Sequence, residues 1–130
     1  NIVAAMMAVG AAGVQVGTAY LLCTEAKTSQ VHRAALKGEL DGVKPEHTTL
    51  TNLFSGRPAR GIVNRAMREL GAMNTNAPQF PFASTAIAPL RTIAESQGKG
   101  DFSPLWAGQN TLGCQEVSAA ELTRVLITLI

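Results

Sequence analysis

Charge is scarce in this 130-residue chain. Only 15% of its residues are charged against 46% hydrophobic, which excludes a disordered, charge-swollen polymer and leaves one globular domain with a core. The net charge is +2 and the basic residues are scattered, so the electrostatic footprint of a nucleic-acid binder is missing. Cysteine is equally sparse. Cys23 and Cys114 are too far apart in sequence for metal-ligand spacing, which leaves two free thiols and a reducing, cytoplasmic setting. No Walker loop, dinucleotide fingerprint, zinc spacing or catalytic-triad signature occurs. The start, Asn1-Ile2-Val3, has no basic region of the kind that opens a signal peptide, and it falls inside an already helical pattern. A piece of a longer protein is expected.

From Ile2 to Cys23 there is no charged residue. That length matches a bilayer span, and Gly13-x-x-x-Gly17 matches a helix-pairing motif. Gly10 to Gly13 breaks the run, however, Gln15 interrupts it, and basic flanks are absent. The expectation is no membrane span but a buried helix over 2–9, a glycine turn, and a short β-branched strand over 13–16. A strand that ends in Gly17-Thr18 offers bare N–H groups and one hydroxyl, which suits an anion such as a phosphate. Read alone, a plain strand end explains the same residues.

Further along, Thr28 or Ser29 caps a helix reaching Lys37, with Val31, Ala34, Ala35 and Leu36 inward. The Thr-rich run 47–54 reads as a strand. Residues 55–61 read as a tight basic turn whose Arg57 and Arg60 either clamp an anion or serve the surface. A helix is expected over 62–70, with Val63, Met67 and Leu70 inward and Gly71 closing it. An irregular loop covers 72–83, and a helix runs from Ser84 or Thr85 to Gln97, with Pro89 kinking it or starting its main part. Trp106-Ala107-Gly108-Gln109 puts an indole and an amide beside small residues, which suits either a flat aromatic ligand or a small core. The final helix has a Ser118–Glu121 capping box, a Val117–Leu122 staple and an apolar face of Leu122, Val125, Leu126 and Leu129. His32 and His47 are lone histidines, read as surface residues.

Four stretches in order resemble one family. Gly13 to Leu21, His32 to Leu36, Thr51 to Ile62 and Leu105 to Gln109 are similar to the C-terminal part of nitronate monooxygenases. The resemblance implies an α/β fold: the C-terminal fragment of an FMN-binding (β/α)8 TIM barrel with a smaller inserted α+β domain, mostly helical in this chain. It implies oxidation of alkyl nitronates, such as propionate 3-nitronate, with O2. Residues 1–24 would be the last helix and strand of the barrel. Residues 25–103 would be the smaller domain covering the flavin, and 104–130 a return segment with the C-terminal helix. Gln15, Val16, Gly17 and Thr18 match the segment that holds the FMN phosphate, and Trp106, Gly108 and Gln109 match residues near the active site.

The family's catalytic histidine and the rest of its phosphate site fall upstream of residue 1, so the missing N-terminal part of the barrel is the first expected partner. Neither His32 nor His47 matches that histidine, and the 130 residues alone should not catalyse the reaction. Asn110 to Cys114 is bulkier and more polar than the small-residue run usual in the family. No metal site is expected, and a homo-oligomer is compatible with the sequence. Two alternatives stay open: an FMN-dependent barrel that reduces enoyl-type substrates, and a non-enzymatic helical or membrane-associated module that buries 2–22 against a partner.

Overall fold

The computed structural model describes residues 2–128. Five helices are present among them: α1 (Ile2–Ala8), α2 (Gln30–Lys37), α3 (Arg65–Leu70), α4 (Phe82–Ser96) and α5 (Ala119–Thr128). A 3-10 turn spans Thr18–Leu22, and two strands, β1 (Thr48–Thr51) and β2 (Ala59–Ile62), form an antiparallel hairpin. Its register pairs Thr48 with Ile62 and Thr51 with Ala59.

The stretch 105–107 lies along the free edge of β2. Ile62 N donates to Leu105 O (2.8 Å), and Ala107 N donates to Arg60 O (3.1 Å). Gly61 makes this approach feasible, because a Cβ there would stand 3.0 Å from the Leu105 carbonyl oxygen. Behind the sheet, Leu22, Val31, Ala35, Leu36, Ile62 and Leu105 are part of the main core. A second cluster joins Leu53, Phe54, Ala66 and Met67.

Local signals set most element ends. Ser29 caps α2 by accepting from His32 N (3.3 Å), and Gly38, at φ 73°, closes it. Asn64 is fully buried and starts α3. Its Oδ1 accepts from Met67 N (3.3 Å), and its Nδ2 donates to the carbonyls of Gly100 and Ser103, both at 2.9 Å. One amide therefore caps a helix and ties it to the loop before 105–107. Ser118 Oγ accepts from Glu121 N (3.1 Å), as its capping position predicts, and Glu25 adds a carboxylate on Ala119 N.

Four expectations need correction. First, residues 13–16 form no strand: the segment is irregular, because no described strand lies beside it to complete a ladder. Second, α1 has no buried residue, and Ile2, Met6 and Val9 are exposed. Third, Ala59–Ile62 is a strand and not the end of a turn, and the following helix starts only at Arg65, after the Asn64 cap. Leu70 in that helix is exposed. Fourth, Leu122 is buried on α5 while Val125 is exposed; Leu129 lies outside the described residues. The helix around Pro89 begins at Phe82, two residues before Ser84, and keeps the proline inside. Among the described residues, no helix is long and apolar enough to cross a membrane.

Candidate functional site

The segment leading into the 3-10 turn borders a cavity of about 320 Å³, whose wall includes Gln15, Val16, Gly17, Thr18, Asn110 and Cys114. Three features suit it to an anion. The N–H groups of Val16, Gly17 and Thr18 donate to no acceptor among the described residues. Gly17 has an ordinary negative φ of −116°, and a Cβ there would meet nothing within 4 Å. Among the described residues, neither backbone conformation nor packing requires glycine here. Thr18 Oγ1 accepts from Gly108 N (2.8 Å), which leaves its own proton free to donate.

That last bond joins two stretches that the sequence nominates separately. Cys114 reinforces the junction, its thiol reaching Thr18 O at 3.4 Å. Burial pushes the Cys114 thiol above its ordinary range, and the same holds for the fully buried Cys23, so both are held as neutral thiols.

Arg33 secures the far end of the turn. Its guanidinium donates to the carbonyls of Leu21 (3.4 Å), Leu22 (2.8 Å) and Cys23 (3.3 Å), and to Glu116 Oε1 (3.0 Å). Lys37 also reaches Glu116, at 3.5 Å. The Arg33 hydrogen bond holds the Glu116 carboxyl below its usual range, with the Lys37 charge adding to the effect.

Trp106 stands edge-on to Phe54, with ring centroids 5.9 Å apart and planes at 83°. Its carbonyl accepts from His32 Nε2 (3.0 Å). Burial lowers the pKa of His32, and the Trp106 carbonyl opposes that shift. Trp106 borders a second cavity, about 510 Å³, together with Lys27, His32, Arg91, Glu95 and Ser103. Within that wall, burial raises the Glu95 carboxyl, but hydrogen bonds from Ser103 (2.7 Å) and Arg91 (2.9 Å) outweigh it and leave the group below its usual range.

The nominated residues are thus partly united. Gly108 meets Thr18, whereas Trp106 borders the other cavity and Gln109 is exposed. Arg57 and Arg60 do not form a clamp. Arg57 lies 4.4 Å from the centre of the Phe80 ring, and Arg60 donates to Thr48 O (3.1 Å) and Thr48 Oγ1 (3.3 Å). His47 is exposed, and His32 is half-buried rather than a surface residue. Among the described residues, no group of His, Cys, Asp and Glu could hold a metal ion. Sequence reading missed Arg33 and Glu116. Their partners lie 10 to 83 residues away, so no local pattern announces them.

Comparisons with known proteins agree on a family. The family model described as nitronate monooxygenase matches residues 1–128. The nitronate monooxygenase of Pseudomonas aeruginosa is 40% identical over 124 residues, covering 95% of this chain and 34% of the relative. A Bacillus subtilis protein described as a probable nitronate monooxygenase is 37% identical over 125 residues, covering 95% of this chain and 35% of its own length. Among solved structures, a nitroalkane oxidase from Streptomyces ansochromogenes aligns at TM-score 0.80 and 36% identity, across 98% of this chain and 35% of that one. The chain spans about a third of the length of these relatives. On this sequence and structural likeness, the chain belongs to the nitronate monooxygenase family.

Proposed function

We propose that these residues are the C-terminal portion of an FMN-dependent nitronate monooxygenase that oxidises alkyl nitronates with O2, with the division at 1–24, 25–103 and 104–130 described above. The observation that carries the reading is the Thr18–Gly108 hydrogen bond, at 2.8 Å. It sets the Trp106–Gln109 stretch against a segment with three N–H groups that donate to no acceptor among the described residues, and with no Cβ at Gly17. Short, bare N–H groups and one hydroxyl are what a phosphate needs, and they fit the phosphate end of FMN.

In this reading Val16, Gly17 and Thr18 donate to the phosphate through backbone N–H groups, and the Thr18 hydroxyl adds a further donor. Gln15 lines the same cavity. When bound, FMN supplies the redox centre between nitronate and O2. This chain binds and orients, while the base that takes the substrate proton falls on the barrel portion outside it. Trp106, Gly108 and Gln109, which by resemblance match residues near the active site, lie on the stretch that Gly108 ties to Thr18. The barrel architecture, FMN as the specific flavin, a cytoplasmic setting and any self-association belong to the same proposal.

The test is to purify the intact protein and look for visible flavin absorbance and nitronate-dependent O2 uptake. Both are expected. A colourless protein with no nitronate activity overturns the reading, and NAD(P)H oxidation without nitronate activity transfers it to the enoyl-reducing alternative.

A further inference from the structure

We propose that Arg33, with His32 beside it, is the positioning pair that fixes the Thr18–Gly108 contact and so sets how tightly the phosphate end of the flavin is held; this rests on the FMN reading above. The 3-10 turn is only five residues long. So short a turn has little stability of its own, and its final carbonyls lack partners within it. Arg33 donates to the carbonyls of Leu21 and Leu22, and also to that of Cys23 just past the turn, which accepts from Ala26 N as well. Its side chain is only 17% exposed, and Glu116 neutralises it from the other side. The preceding residue holds the other partner: His32 Nε2 donates to Trp106 O, two residues before Gly108.

Adjacent residues on one helical turn therefore hold both sides of the bond between Thr18 and Gly108. The helix that carries them is itself fixed. Ser29 caps it, and Val31, Ala35 and Leu36 anchor it in the core. Neither side chain borders the cavity at Gln15–Thr18, so both act through the backbone they hold. The planar fork of Arg33 suits several carbonyls at once, whereas a lysine presents its donors from a single point.

The experiment compares FMN with riboflavin, which lacks the phosphate, in the intact protein. Flavin fluorescence titration of wild type and R33M reads both affinities, and circular dichroism confirms that each variant is folded. For R33M, the FMN dissociation constant should rise at least ~10-fold while riboflavin binding changes less than ~2-fold. R33K should lose less than R33M, and H32L should show the same FMN-selective loss, smaller in size. Should R33M not fold, R33K and E116Q make the same comparison. A folded variant that weakens both flavins equally, or neither, overturns the positioning role. Wild-type protein that binds FMN no better than riboflavin overturns the phosphate reading itself, whatever Arg33 does.

Discussion

Residues 18–107 and the apolar segment before them differ in one respect: the first has buried side chains, and segment 2–17 has none. The first region contains a buried core: Ile62 and Leu105 are 0% exposed, although Phe82, Ile93 and Leu70 on its helices stand in the open, and no buried polar side-chain atom among the described residues lacks a partner. In the segment 2–17, residues just as apolar stand in the open, with Val9 79% exposed and Ile2 67%. Hydrophobicity alone does not locate a core; a surface to pack against does. The first region builds its own surface from a hairpin, α2 and the 105–107 edge. The second has an apolar helix without a covering layer among the described residues.

The largest effect should separate these regions directly. Ile62→Ala removes a fully buried side chain and should cost about 2–5 kcal/mol. Val9→Ala should change stability by less than about 0.5 kcal/mol. Denaturant unfolding of the two variants measures the difference, and equal losses would erase the contrast.

Glycines sharpen it next. Gly56 has φ 85°, and a Cβ would fall 2.3 Å from Phe80 N, so Gly56→Ala should destabilise by at least about 2 kcal/mol. Gly17→Ala meets nothing in this chain. Thermal melts should leave Gly17→Ala unshifted while FMN titration of the intact protein shows it weakened, if a phosphate occupies that space.

Asn64→Ala should cost about 1–3 kcal/mol by calorimetry, because it removes a helix cap and two bonds to buried carbonyls. A smaller, pH-dependent effect belongs to His32. Its pKa is lowered in the fold by burial, so the unfolded chain binds the proton more readily. The contribution is complete above the unfolded value of about 6.5 and is lost as pH falls through the lower folded value. Unfolding of H32Q across that range should show a flatter pH dependence than wild type.

What the residues announced, and what they hid, follows the range of each interaction. The Ser29 cap of α2 and the Ser118 cap of α5 are local, and both are in place. Gly17-Thr18 and Gly108 were legible as separate small-residue stretches, and their meeting was not, since that contact is long-range. β2 was hidden because Arg60-Gly61-Ile62 has turn-like composition, and its strand character comes from partners at Thr48–Thr51 and Leu105–Ala107. The strand expected at 13–16 failed for the complementary reason. Its β-branched residues are suitable, but a ladder needs a neighbour. Arg33 drew no assignment of its own; its role depends on where the chain before and after α2 returns.

The bond between Thr18 and Gly108 joins residues 90 positions apart. In kinetic terms, such a contact forms only after a long loop has closed, and that closure carries an entropic cost before any contact rewards it. The hairpin and α2 involve short separations and can organise first. A ligand bound at Thr18 would therefore favour the closed arrangement over forms in which this loop is still open.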